Sequence, residues 1–424
     1  MKETFPPLNY ILVKSAINGI DVFKPKSPEE DQRPIVDFKC PQCGATTAYS
    51  IANGGLTCTY CGYYEAPQAI AVGKRAEEFE FKVETMEQAA QGWGTERREL
   101  ACQRCGAKVS IPVDLLTYTC PFCGSNKVLQ QQASQDGLRP RFLVPFKVDP
   151  QACKKIVIPW LSSNWMTPGT LKQVAQIGVF TPIYIPLWTF SASCTADWQA
   201  EVGHAETERY YEDGQWKTRT KTVWKRESGQ VHANFDDILV EGTTHVSKKL
   251  LDQIKNYDLQ GLVSYKPEYL AGIQAQAYDI TLDKAWEVGR NNMRENTRQA
   301  CRSQASTTEI RNFNMNLDFN GETWRYILLP INITAYEYNG LAYQIMINGQ
   351  TGAISGQRPV DWGKVWLVIL ALLSPGAILG MLGLITLPLG GIGAGIGGFG
   401  FFLLVIGLII ASVIFFRAQG LDDA

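Results

Sequence analysis

From Val365 to Phe416 the chain runs 52 residues without one charged side chain. A single membrane-spanning helix needs about 20 apolar residues, so this run is too long for one span and suits two. We place them at Val365–Leu387 and Gly397–Phe416, joined by a tight turn over residues 388–395, a glycine-rich stretch after Pro388. Lys364 precedes the first span, Arg417 follows the second, and the connection carries no charge. The positive-inside rule then puts both ends in the cytosol. No ionisable residue interrupts the spans, which argues against an ion or proton path. Gly391 with Gly395, or Gly393 with Gly397, fits the small-xxx-small packing pattern and leaves room for a homo-oligomer. The apolar start, Leu8–Val13, is broken by Asn9 and closed by Lys14, which is not the pattern of a signal peptide.

Eight of the eleven cysteines form four C-x-x-C pairs. Cys40, Cys43, Cys58 and Cys61 make one set; Cys102, Cys105, Cys120 and Cys123 make the other. Both read C-x2-C-x14-C-x2-C, with glycine after each second cysteine (Gly44, Gly62, Gly106 and Gly124). Two cysteines spaced this way can aim both sulfurs at one ion, and the glycine permits the left-handed turn that follows. The fourteen-residue spacer suits a short β-hairpin that brings two such knuckles together. Each set is therefore expected to hold one structural Zn2+, closed by four thiolates with no position left for water. The alternatives are redox C-x-x-C pairs or an iron–sulfur site, and redox pairs would not be expected four at a time with glycine after each. Zinc thiolates need a reducing compartment, which again places this part in the cytosol. Units this small cannot build a core, so the metal should supply most of their folding energy.

Zinc ribbons bind nucleic acid in some proteins and protein in others. Residues 1–139 contain 15 Lys and Arg against 16 Asp and Glu. A nucleic-acid module should be visibly basic, so protein contact is the first expectation. A membrane-tethered nucleic-acid-binding protein is the alternative, with Tyr60 and Phe122 as the residues that could stack on bases.

The expected architecture is multidomain: two small β zinc ribbons, an α+β middle domain and a C-terminal two-helix transmembrane hairpin. Residues 1–36 read as a lead segment, 37–65 as ribbon 1, 66–98 as a connector with a short helix near Val83–Gln91, and 99–128 as ribbon 2. Residues 129–139 read as a linker, flexible over Gln130–Gln135. The middle domain spans 140–360, with enough tryptophan for a real core. Asp213-Gly214, between strand-like runs, predicts a hairpin. Helices are expected at Pro168–Gln176, Val246–Asn256 and Leu282–Ser303, the last with Ala285, Trp286, Val288 and Met293 on its buried face. Tyr184–Leu187 leading into Trp188–Cys194, and Tyr326–Pro330 leading into Ile331–Tyr338, suggest an internal repeat of strands entered from a proline turn.

We find no catalytic constellation in the sequence, so a non-enzyme is expected. His204, His232 and His245 have neither ligand spacing nor a motif partner. Asp236-Asp237 is read as a turn or cap, although it could take a cation. Cys153, Cys194 and Cys301 lack nucleophile signatures and should be buried. There is no phosphate loop and no helicase motif.

Several segments together give a resemblance: the paired ribbons, Leu143–Val148, Tyr184–Phe190, Phe235–Val240, Tyr265–Gly272, and Leu329-Pro330 with Tyr338–Gly340. On these the chain resembles a bacterial family labelled TFIIB-type zinc ribbon-containing proteins, often misnamed after the primosomal replication-restart helicase. One departure is Pro159, inside Ala152–Leu161, where a cleaner helix is expected. The resemblance implies a membrane anchor that recruits phage-shock protein A homologues or SPFH (flotillin/stomatin-like) proteins in envelope stress. The expected function is therefore a non-enzymatic, membrane-anchored adaptor whose partners are the bilayer and other proteins.

Overall fold

In a computed structural model, the structure describes residues 10–13, 22–25, 38–67, 72–73, 79–80, 97–112, 120–122, 128–132, 138–171, 176–177, 179–212, 214–339, 341–386 and 391–422. Tyr10–Val13 pairs antiparallel with Val22–Pro25, so the lead segment contains a hairpin. The first ribbon is a three-stranded sheet of β1 (Ala48–Ser50), β2 (Gly55–Thr57) and β3 (Tyr64–Glu65). The second carries β4 (Arg97–Cys102), β5 (Lys108–Pro112) and β6 (Val128–Gln132), with β4 paired to both others. Gln130–Gln132, expected as flexible linker, are thus strand: their backbone pairs with Arg98–Leu100. Polar side chains suit an edge strand as well as they suit a linker, and composition could not separate the two.

The middle region opens with α1 (Pro150–Leu161), capped by Asp149, whose carboxylate accepts from the Ala152 N–H at 2.6 Å. Pro159 lies inside its last turn without ending it. Two long strands follow, β7 (Thr181–Glu212) and β8 (Gln215–Glu241), joined at the expected turn with Gly214 at φ +75°. At about 3.3 Å per residue β7 is roughly 100 Å of chain. Next come α2 (Lys248–Gln253), the short β9 (Gln274–Gln276) and α3 (Leu282–Gln304). The domain closes with β10 (Ile310–Tyr338), β11 (Leu341–Asn348) and β12 (Ile354–Gly356). Of the helix expected at Pro168–Gln176, Leu171 is helical and the C-terminal end differs. Residues 172–175 lie outside the described residues, and Gln176-Ile177 is strand, paired with Tyr336 and Glu337. The helix expected near Val83–Gln91 also lies outside them.

β7 pairs antiparallel with β8 on one side and with β10 on the other, which makes it the axis of the large sheet. Along its outer half the residues alternate. Ala192, Cys194, Ala196, Trp198, Ala200 and Val202 are buried, while Ser193, Asp197 and Gln199 face water. The buried row is covered by α3, which presents Leu282, Ala285, Trp286, Gly289, Met293, Thr297 and Cys301 at helical spacing. Val288, expected on that face, is 37% exposed. Gly289 takes the inward position, because a methyl there would lie 2.8 Å from the Phe190 ring.

The suspected repeat has a structural counterpart, but the prolines are not in turns. Pro186 and Pro330 both sit inside long strands, and Tyr184 is register partner to Pro330. A proline has no N–H for the ladder, so it belongs where a neighbour is missing. β7 pairs in parallel with β9 through Ile183 and Tyr184, then antiparallel with β8 from Leu187 onward. β10 pairs in parallel with Phe142-Leu143 through Ile327 and Leu328, then antiparallel with β11 from Ile331 onward. Each proline occupies the switch between neighbours. Each proline carbonyl accepts from a glycine N–H: Gly242 at 3.0 Å and Gly349 at 2.8 Å.

The chain ends in α4 (Trp362–Ile385) and α5 (Gly391–Asp422), two helices long and apolar enough to cross a membrane. Gly391–Gly395, expected as turn, is helical; residues 386–390 separate the two helices, and 387–390 lie outside the described residues. The glycines set the distance between the helices. A methyl at Gly383 would lie 2.4 Å from the Gly397 backbone, and one at Gly400 would lie 2.5 Å from the Gly380 backbone. Gly397 therefore serves packing within the hairpin, whereas Gly395 faces open space.

Candidate metal centres

The first knuckle closes through backbone bonds. The Gly44 N–H donates to the Cys40 carbonyl at 2.8 Å and the Cys40 N–H to the Ala45 carbonyl at 2.7 Å. The same two bonds recur at Cys58, from Gly62 and to Tyr63, and at Cys102, from Gly106 and to Ala107. Gly44, Gly62 and Gly106 adopt φ of +72°, +74° and +76°. This repeated local fold is why glycine follows Cys43, Cys61 and Cys105. Between the two knuckles of the first set, β1 and β2 form the hairpin expected from the spacer, with Tyr49 opposite Leu56.

The knuckles bring Cys40, Cys43, Cys58 and Cys61 together with all four sulfurs within 4.8 Å of one another. The Cys40–Cys61 sulfurs are 3.4 Å apart and the Cys43–Cys58 sulfurs 3.5 Å. Four sulfurs about 2.3 Å from a tetrahedral zinc stand about 3.8 Å apart. The cluster is of a size to hold such an ion. The crowding moves two of these thiols in opposite directions. The Cys61 N–H, burial notwithstanding, and the Tyr60 N–H draw the Cys58 thiol down to about 7. The Tyr63 N–H favours the Cys61 thiolate, yet Cys40, burial, Cys43 and Cys58 outweigh it and push Cys61 up to about 12.

In the second set Cys102, Cys105 and Cys120 form the same kind of cluster, with the Cys105–Cys120 sulfurs 3.7 Å apart. Cys123, expected as its fourth ligand, lies outside the described residues. The surroundings of the two clusters differ. In the first, Cys43 and Cys61 are exposed and Tyr60 stands 84% exposed at the tip. Its back docks on the middle domain, where the Tyr49 N–H donates to the Ala271 carbonyl and the Tyr49 ring packs on Tyr269. The second is part of the core. Cys102 and Cys120 share one apolar cluster with Leu250, Leu251 and Ile254 on and beside α2, and Gln344 donates to the Phe122 carbonyl at 3.0 Å. β5 pairs with β9, Val109 opposite Gln276, so this ribbon's strands extend the large sheet.

The other candidate residues have ordinary partners. Asp237 is paired with Arg325, and the Asp237 N–H donates to Ser191 Oγ at 3.2 Å. His204 Nε2 faces both Glu227 Oε1 at 3.0 Å and Ser306 Oγ at 3.3 Å. A serine relay needs the two partners on opposite ring nitrogens, so this trio does not have that arrangement. His232 lies beside Thr195 and Gln230. His245, which has no motif partner in the sequence, packs over the Gly106 turn of the second knuckle and meets Asp279 at 3.1 Å. No spacing in the sequence links position 245 to position 106. Cys153, Cys194 and Cys301 are buried. Burial pushes the Cys153 thiol up to about 12 and the Cys194 thiol up to about 11.

No family model matches the chain, and no solved structure matches it. A protein of Bacillus subtilis (strain 168) carrying the name uncharacterized protein YdjG is similar to it, with 24% identity over 332 residues. The match covers 78% of this chain and 92% of that protein.

Proposed function

We propose that this chain is a membrane-anchored zinc-ribbon adaptor, non-enzymatic, that recruits protein partners at the cytosolic face of a bacterial membrane. In this reading each cysteine set holds one Zn2+ through thiolates alone, Cys123 completing the second, and α4 and α5 cross the bilayer with both ends in the cytosol. The thiolate donors suit zinc, and closed coordination gives a structural ion.

The observation that carries the reading is the unequal setting of the two ribbons. The second is built into the core, whereas the first presents Tyr60, Cys43 and Cys61 to solvent from a domain fixed to the hairpin. Beside it lies a cleft of about 310 Å³ lined by Phe38, Lys39, Tyr63, Glu65, Lys266 and Glu268. Lysines and glutamates in one cleft, with an aromatic edge, suit a peptide of mixed charge. The resemblance makes SPFH (flotillin/stomatin-like) proteins and phage-shock protein A homologues the first partners to try.

The test is affinity capture of the full-length chain from detergent-solubilised membranes, alongside a Tyr60→Ala variant. A protein partner retained by the first and lost by the second supports the adaptor. Recovery of no protein, together with salt-dependent binding of DNA or RNA, would replace it with the nucleic-acid alternative.

A further inference from the structure

The hairpin does not leave the middle domain through a bare linker. The Asp361 N–H donates to the Met166 carbonyl at 2.7 Å, and Lys364 Nζ to the Thr167 carbonyl at 3.0 Å. At the other end the Arg358 N–H donates to the Leu421 carbonyl at 3.2 Å, and Lys249 Nζ to the Gly420 carbonyl at 3.1 Å. The Met166 side chain, 6% exposed, shares an apolar cluster with Val365, Ile369, Ala411 and Ala418. Ile369 lies seven residues into α4, about 10 Å along its axis. A bilayer that takes up Ile369 therefore reaches the level of Met166.

Trp165, next in the chain, leaves 47% of its surface uncovered. Nearby on α4, Trp366 is 51% exposed. Indole rings concentrate at headgroup level, where one edge is apolar and the other wet. Lys248, Lys249, Lys364 and Arg417 are all exposed around the same base, with Asp361 half-buried beside Lys364.

We propose that the loop from Ser162 to Pro168 is a third membrane contact. Trp165 seats among the headgroups, and the basic residues around the hairpin base draw anionic phospholipid to it. This rests on the reading of α4 and α5 as membrane spans. It makes the middle domain a body held in one orientation rather than one swinging on a tether, which fixes the direction in which the first ribbon faces.

The test places the photo-reactive residue p-benzoylphenylalanine at position 165, 370 or 216 of the full-length chain in nanodiscs. The discs contain phosphatidylcholine alone or a mixture with phosphatidylglycerol. Leu370, 67% exposed on α4, reports the span itself; Trp216, 72% exposed at the tip of the β7–β8 hairpin, is the negative control. Position 165 is expected to cross-link lipid as 370 does, while 216 does not. Lipid adducts at 370 without adducts at 165 would overturn the loop contact and leave the spans standing. No adduct at 370 would remove both. In mixed discs, Lys248→Gln and Arg417→Gln should each lower the phosphatidylglycerol share of the adducts roughly fivefold. An unchanged share would overturn the role given to anionic lipid.

Discussion

Asp237 reaches the guanidinium of Arg325 with both side chains out of water, 5% and 1% exposed. A bulge makes this reach available. Opposite Ser191, β8 carries two residues where β7 has one, and Asp237 turns to φ +56°. Arg325 Nε also donates to Thr189 Oγ1 at 3.3 Å. A buried guanidinium is tolerable only with a counter-charge in place.

Asp237→Ala should accordingly destabilise the middle domain by about 3–5 kcal/mol, because it strands the Arg325 charge. Asp237→Asn keeps a residue that tolerates the left-handed region and so isolates the charge term. Urea unfolding of the solubilised chain measures both. If the alanine variant unfolds at the wild-type midpoint, the pair contributes nothing.

The unequal setting of the cysteine clusters predicts unequal lability. A chelator should strip metal from the exposed first site before the buried second, giving two phases of release in a metal-dye assay. Cys40→Ser should lower metal content by one ion and leave the middle domain's thermal transition nearly in place. Cys102→Ser should lower that transition as well, by several kcal/mol, since metal and core are one cooperative unit there. Equal effects on the transition would contradict the packing of Cys102 with α2.

Close backbone approach in the hairpin predicts a positional contrast among its glycines. Gly383→Leu pushes a side chain into the Gly397 backbone and should cost at least about 1–3 kcal/mol, in the range of overpacked interiors. Gly395→Leu, facing open space, should change stability by less than about 0.5 kcal/mol. Thermal unfolding in detergent distinguishes them.

Acid should weaken one outer contact of the sheet. The Ser306 hydroxyl, then the Ser306 N–H, bond Glu227 and hold its carboxyl below the ordinary carboxylate range, with His204 adding to the effect. A depressed carboxylate contributes stability that is present above its unfolded value and is lost as pH falls through the folded one. Glu227→Gln should therefore flatten the stability profile below the ordinary carboxylate range and leave it parallel to wild type above. The exposure of the site keeps the effect small. Hydrogen exchange at Ser306 across the acid range is the direct check.

How far the sequence could be read followed the range of the forces involved. The cysteine pairs, their glycines and the Gly214 turn were legible because each is closed by bonds among residues a few positions apart. α3 was legible in its span but not in its whole face: Val288 is apolar yet exposed, and Gly289 is inward because of Phe190, a neighbour no periodicity reveals.

By itself, then, the sequence determined two cysteine units of identical spacing and two apolar helices, since knuckle chemistry and uninterrupted hydrocarbon are local properties. Only the tertiary structure decided that the second unit joins the large sheet through Val109 and Gln276, that Pro186 and Pro330 mark changes of strand neighbour, and that Gly397 meets Gly383. Each of these depends on which distant segment supplies the partner, and that choice is made by the packing of the whole chain.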